Sequence, residues 1–396
     1  MRLTLSVSIA LAAAGVAHAD ESSITLYGTI DTGLTYLSNQ QVVSAAGVSS
    51  GHSIVALTGA NFWPSNFGLL GTEDLGGGNA AVFELRNYFS STTGAQYQPS
   101  RLFGVAKVGL KSDTYGSLML GRQYDSYTDM LSPIAASNAF AGGYAAHFGD
   151  VDNLNLDFSV SNAIKYTSPV LFGGLTIGGT FAPGGVAGNF SENLAWAIAT
   201  SYVAGPINVA AGFLSVRNPY TSVYGGDSDY LGGLSCSTAT SYCNIFRSDE
   251  LRTFGVGGSY DFGPAVVGAV LTSARHLGSQ YGLALDGRVE DIRFDTAEIN
   301  ALYKLSPDLS LGVAYAYTHV KTDADTTSGI HKVSFAVDYN ITKRTLLYTF
   351  VNYEYMHGRF GIDPAGSPAS YAQLPYFSNA AGPSQAAVTA GIRHSF

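Results

Sequence analysis

Charged and nucleophilic side chains are sparse in this chain, so the first matter is whether any of them converge. Beyond residue 20 the histidines are His52, His147, His276, His319, His331, His357 and His394, with no H-x-x-x-H pair of the kind that holds a metal. Nothing in the spacing assembles a nucleophile, a base and an orienting acid. The glycines of "DLGGGN" precede neither a helical pattern nor a Lys-Ser/Thr pair, which makes them a tight turn rather than a phosphate loop. Two acidic segments, "GGDSDY" (225–230) and "DADTTSG" (323–329), offer oxygen ligands for Ca²⁺ but lack EF-hand spacing and read as solvated loops. No catalysis and no cofactor is expected. What remains is a set of charges that act only if they face a common space. They are Asp125 and Asp129 in "QYDSYTDML", Arg101 and Lys107 in "SRLFGVAKVGL", and Arg86, Arg122 and Arg393.

The elements that would position them are strands. In "LSLGVAYAYTHVK", Leu309, Leu311, Val313, Tyr315 and Tyr317 point one way while Ser310, Gly312, Ala314, Ala316 and Thr318 point the other. "HKVSFAVDY" and "LAWAIATSY" repeat the pattern, the latter setting Leu194, Trp196, Ile198 and Tyr202 against Ala195, Ala197, Ala199 and Ser201. Such segments run about 9 to 14 residues, the length that crosses a bilayer at a tilt. No remaining stretch is an apolar run of helix-spanning length.

Composition narrows the setting. "MRLTLSVSIALAAAGVAHADE" has a cation, a short apolar run and an Ala17-His18-Ala19 cleavage pattern, so residues 1–19 read as an export signal and 20–396 as the mature chain. Without Arg2 the chain has 19 basic against 29 acidic residues, a net charge of −10, which argues against nucleic acid as a partner. In an exported protein, Cys236 and Cys243 are candidates for a local disulfide.

Alternation alone does not separate a soluble sandwich from a membrane barrel; the connections do. Seven short ones, "DLGGGN", "SDTYGS", "PVLFGG", "VAGPIN", "DFGPA", "LSPDLS" and "NITKRT", take turns with eight long ones that include 38–65, 88–100, 124–157 and 217–251. That count joins 16 antiparallel strands with both termini on the short-turn side. An open sheet edge in hydrocarbon would leave backbone groups unpaired, so the last strand, "VTAGIRHSF", must pair with the first, "SSITLYGTIDTGLTYL". Ile24, Leu26, Ile30, Leu34 and Tyr36 then face outward, Tyr27 and Asp31 inward, and Phe396 sits at the membrane boundary.

These pieces resemble the Gram-negative general porins of the proteobacterial type. The likeness rests on "SSITLYGTIDTGL", "FGLLGTEDLGGGNAAVFELR", "SRLFGVAKVGL", "GSLMLGRQYDSYTDML", "NAIKYTSP" and "GIRHSF", in that order along the chain. It implies an all-β, 16-stranded antiparallel transmembrane β-barrel in the outer membrane, with short periplasmic turns, long external loops and an inward-folded third loop at 124–157. It further implies a homotrimer, embedded in lipid and lipopolysaccharide, that passes ions and small polar solutes. Phe396 would be the C-terminal signal read by the barrel-assembly machinery. Asp129 matches the family's acidic loop position and Arg101 a wall arginine, whereas Pro133 replaces a second loop carboxylate. Asn66, Leu70 and Ser159 stand where basic wall residues are common. With Asp125, Arg122 and Lys107 added to the constriction and Tyr27, Asp31, Arg86 and Arg393 lining the lumen, the expectation is a weakly cation-selective or nearly unselective channel. A substrate-specific porin, or a closed-lumen adhesin or phage-receptor barrel, are the alternatives.

Overall fold

A computed structural model describes residues 22–44, 49–97, 100–226, 230–231, 233–236, 241–281, 288–323, 327–362 and 368–396. The expected export segment lies outside these residues, as do parts of both acidic loop segments. The wall begins with β1 (Ser23–Val43), β2 in two pieces (Ser49–Gly59 and Asn66–Gly76), β3 (Asn79–Tyr88), β4 (Val105–Ser112) and β5 (Gly116–Gln123). After a long loop come β6 (Val160–Thr167), β7 (Leu175–Ala182), β8 (Ala195–Ala204) and β9 (Ile207–Arg217). The remainder is β10 (Glu250–Asp261), β11 (Ala265–Ser279), β12 (Glu290–Lys304), β13 (Leu309–Thr322), β14 (Thr327–Asn340), β15 (Thr345–Gly358) and β16 (Ser384–Ser395).

Every neighbour pairs antiparallel, and the ring closes where β16 meets β1 from Thr29↔Ser395 to Leu37↔Ala387. Gly28 and Phe396 exchange backbone hydrogen bonds at 3.3 and 3.0 Å, so pairing continues through the last residue. This is the closed 16-stranded barrel expected, with its seven short turns where the sequence put them. Large apolar side chains stand exposed on the outer face, among them Leu26, Val55, Leu271 and Ile299. That face is stable only against hydrocarbon or another subunit. Tyr202, Tyr260, Tyr303, Tyr339 and Phe396 ring the short-turn end, each at least partly exposed, as an aromatic girdle does.

One expected loop is corrected. Residues 38–65 are mostly strand: β1 runs on to Val43 and pairs with β2 from Thr32↔Gly59 to Val43↔Ser49. The alternation of "SIVALT", with Val55 and Leu57 outward and Ile54, Ala56 and Thr58 inward, carries it. The second stave is then interrupted. Gly59 lies opposite Thr32 and Asn66 opposite Thr29, so residues 60–65 are extruded from the wall at mid-height.

Loop three folds inward. It opens with a helix, α1 (Ser126–Leu131), whose apolar residues Tyr127 and Leu131 are fully buried. The inner faces of β6 to β9 present Ala163, Ala195, Ala197 and Ala210, a low-relief surface that lets the helix lie flat against the wall. Further along, Gly312 of β13 lies so close under the Phe140 ring that a Cβ there would collide with it.

Candidate functional site

With one side of the lumen filled by loop three, the open passage runs along the inner faces of β1 to β6. Four consecutive staves carry a cation there: Arg86 on β3, Lys107 on β4, Arg122 on β5 and Lys165 on β6. Glu84 sits between the first two. Its Oε2 is 2.9 Å from Lys107 Nζ, its Oε1 pairs with Arg86 Nη2, and Tyr27 donates to Oε1 at 2.7 Å. Arg86 Nε also donates to the Tyr27 hydroxyl at 3.0 Å. Arg122 has no carboxylate partner: its Nη1 donates to the Ser159 carbonyl and to Ser161 Oγ, at 3.0 and 2.8 Å. A space of about 540 Å³ toward the short turns is lined by Thr72, Glu84, Lys107 and Lys111, with Met119 among its apolar surface.

Opposite this ladder Asp129 projects from α1 with its side chain 43 % exposed, yet it is not a free acid. Lys165 Nζ lies 2.5 Å from its Oδ2 and also donates to the Tyr124 carbonyl at 2.8 Å. Asp125 does not reach the passage. It caps α1, accepting from Thr128 N at 2.9 Å and Thr128 Oγ1 at 2.8 Å, and burial pushes its carboxyl up from the ordinary value. Arg101 lies in the loop after β3 and donates to the Val223 carbonyl at 3.0 Å; burial lowers its guanidinium. Four cations and two carboxylates therefore line the passage from β3 to α1.

A second group surrounds the extruded segment 60–65. Asp31 is inward, as expected, but fully buried rather than lumen-hydrating. Its carboxylate accepts from the backbone N–H groups of Asn61, Phe62 and Trp63 at 3.2, 3.0 and 3.4 Å and from the Tyr348 hydroxyl at 2.7 Å. Asn61 turns toward loop three: its carbonyl accepts from Gly143 N at 2.8 Å and its Oδ1 from the Tyr144 hydroxyl at 2.7 Å. Gly142, at φ 73°, allows this approach, because a Cβ would meet the Asn61 carbonyl oxygen. Arg393 is inward too and lies over the Phe62 ring at 4.1 Å.

Several expected placements thus come together, namely Arg86, Lys107, Arg122, Tyr27 and Asp129, while Asp125, Asp31 and Arg101 serve the frame. Sequence reasoning missed Lys165 and Glu84, although both alternate inward in quoted motifs, Lys165 between Ala163 and Thr167. It also missed the extruded segment. Cys236 and Cys243 form a disulfide with Cα atoms 5.4 Å apart in the loop after β9. Asn66, in place of a wall cation, donates to the Pro64 carbonyl at 2.8 Å and helps bound the extruded segment. No cluster of three or more metal-ligating side chains occurs among the described residues.

A closed barrel with an apolar exterior, an inward loop and charges across the gap defines an outer-membrane channel protein. The description of Gram-negative porins matches residues 5–358, and the chain belongs to that family. An outer membrane porin protein of Bordetella pertussis is 33 % identical over 298 residues, covering 71 % of each chain. Outer membrane porin protein 32 of Delftia acidovorans is 27 % identical over 413 residues, with both chains covered in full. Among solved structures, an anion-selective porin from Comamonas acidovorans superposes with a TM-score of 0.67 at 25 % identity, over 95 % of this chain and 100 % of that one. An OmpF porin from Salmonella typhi, at 17 % identity and a TM-score of 0.58 over 94 % of this chain and 97 % of that one, shares the fold.

Proposed function

We propose that this porin is a passive, non-specific diffusion channel for ions and small polar solutes, with a weak preference for anions. The observation that carries the sign is the pairing of Asp129 with Lys165, which neutralises the loop acid and leaves the ladder of Arg86, Lys107 and Arg122 with Glu84 as its sole carboxylate. Convergent lumen charges bias permeation by favouring the counter-ion. This reverses the weak cation preference expected from the thinned basic wall, because that expectation counted Asp129 as free. The likeness to a porin described as anion-selective supports the same sign.

The channel is proposed to work as a homotrimer. The outer faces of β1, β2 and β16 offer Ile24, Leu34, Leu57 and Ile392 as an apolar surface for subunit contact, and a fold relative from Vibrio cholerae is described as a trimer form. Phe396 as an assembly signal belongs to the same proposal. No catalytic group is required. The test is the reversal potential of single channels in planar bilayers under a KCl gradient. Chloride preference, with conductance arriving in steps of three, is expected. Clear potassium preference would overturn the sign, and silence would overturn the open channel.

A further inference from the structure

On the outward face of β10 to β13, cations stand directly opposite one another in four successive strands. The register pairs Arg252 with Arg275, Arg275 with Arg293, and Arg293 with Lys321. All four are exposed, and their parity is that of Phe254, Leu271 and Ile299, the residues that face hydrocarbon further down the same staves. The row lies toward the long loops, so it sits where the apolar band gives way to the external membrane surface. Three strand spacings make it about 14 Å long.

Like charges directly opposite on neighbouring strands are destabilising unless something offsets them. Acids on the protein offset them only in part. Arg252 pairs with Glu250 at 2.7 Å and Arg293 with Asp295 at 2.8 Å, exposed pairs of small energetic weight. Asp291 and Asp323, one tier nearer the loops, accept from the backbone N–H groups of Gly278 and Asp291 at 2.9 and 3.3 Å. Arg275, at the centre of the row, has neither an ion pair nor a hydrogen bond from its side chain. Guanidinium groups bind phosphate oxygens through two parallel N–H donors, and a rigid sheet holds the spacing between them.

We propose that this row binds the phosphates of a lipid of the external leaflet, the diphosphoryl lipid A portion of lipopolysaccharide. The inference needs the barrel's place in the outer membrane but not its ion selectivity. It is tested with purified protein in detergent by native mass spectrometry, using diphosphoryl and monophosphoryl lipid A as probes and millimolar inorganic phosphate as competitor. Wild type is expected to retain the diphosphoryl lipid preferentially and not to release it to phosphate. R275Q/R293Q should lower retention about thirtyfold for two membrane-surface cations, with R275Q alone lowering it about fivefold. Heat-modifiable mobility and conductance should stay as in wild type, since neither side chain faces the lumen. K304Q, at the short-turn end, should change nothing. Equal retention by R275Q and wild type, or an equal loss in K304Q, would overturn the proposal. Release by inorganic phosphate would show a generic anion site instead.

Discussion

The Lys165–Asp129 contact decides how much negative charge the passage presents. Lys165 is nearly buried, while Asp129 is open to the lumen, so the pair is asymmetric: removing the cation exposes an uncompensated acid, whereas removing the acid frees a cation held by one carbonyl. K165Q should therefore shift the reversal potential toward potassium, and D129N toward chloride, relative to wild type. Equal shifts in one direction would show that neither side chain faces the permeating ions. The pair was half legible in the sequence. Asp129 was found through its motif, but Lys165, four residues into "SNAIKYT", was passed over because its motif was used only to place a strand. Period-two parity turns it inward with Ala163, and an inward lysine on the stave next to an acidic loop is the signal that was there. Asp125 misled for the opposite reason. A carboxylate two residues before a Tyr-Thr-Asp turn is as good an N-cap as a pore charge, and only the helix direction distinguishes them.

At the scale of elements, the break in β2 holds loop three in place. Asp31 organises the extruded segment by accepting three consecutive backbone N–H groups, and Asn61 passes that order on to Gly143 and Tyr144. Replacing Asn61 by Ala deletes the amide that bridges wall and loop. It also leaves the Tyr144 hydroxyl without its acceptor, a loss of roughly 1–3 kcal/mol for a buried polar group. N61A is expected to give noisier open-channel current while the barrel keeps its heat-modifiable mobility. D31N should do the same more strongly, since an amide nitrogen would face N–H donors. Quiet current in both would mean that the loop is held elsewhere. The strands themselves were legible, because alternation and turn chemistry agree along most of the chain. The extruded segment was not: "GANFWPSN" has the glycine, proline and asparagine of an external loop, and nothing local says that it lies at mid-wall. "VEDIRFDTAEINALY" alternated poorly for a related reason. Its inward Glu298 and Asn300 bind loop three, Glu298 accepting from Ala136 N at 2.9 Å, so polar groups occupy positions that lipid-side patterning cannot interpret.

Across the whole molecule, the barrel is a frame and loop three a strut tied to its far side by buried charge. His147 joins Asp152 through Nδ1 at 2.6 Å and Glu298 through Nε2 at 3.2 Å, and Thr272 on β11 donates to Asp152 at 2.6 Å. Burial alone would lower the imidazole, but Asp152 and Glu298 outweigh it and raise it from 6.5 to about 10. Burial would likewise raise Asp152, yet His147 holds it below its ordinary 3.8. Nearby, burial pushes Asp157 up to about 6 against hydrogen bonds from Tyr376 and Asn155, Tyr376 tying loop three to the loop after β15. Lys332, paired with Glu354 at 3.1 Å, donates to the Ala146 carbonyl beside this group. The signs follow from linkage. A raised His147 contributes stability that is complete below about pH 6.5 and is lost as pH rises through about 10. A raised Asp157 contributes stability that is complete below about pH 3.8 and is lost as pH rises through about 6. A depressed Asp152 contributes above about pH 3.8 and fails only as pH falls further. Loop three should therefore be held most firmly near pH 4 to 6 and loosen in two stages toward alkali. Amide hydrogen exchange of residues 136–157, corrected for intrinsic rate, would follow it. The alkaline stage should vanish in H147Q while the stage near pH 6 persists. Exchange that rises only below pH 4, or an alkaline stage retained in H147Q, would mean that the loop is held by its apolar packing on the alanine face rather than by the charges at its root.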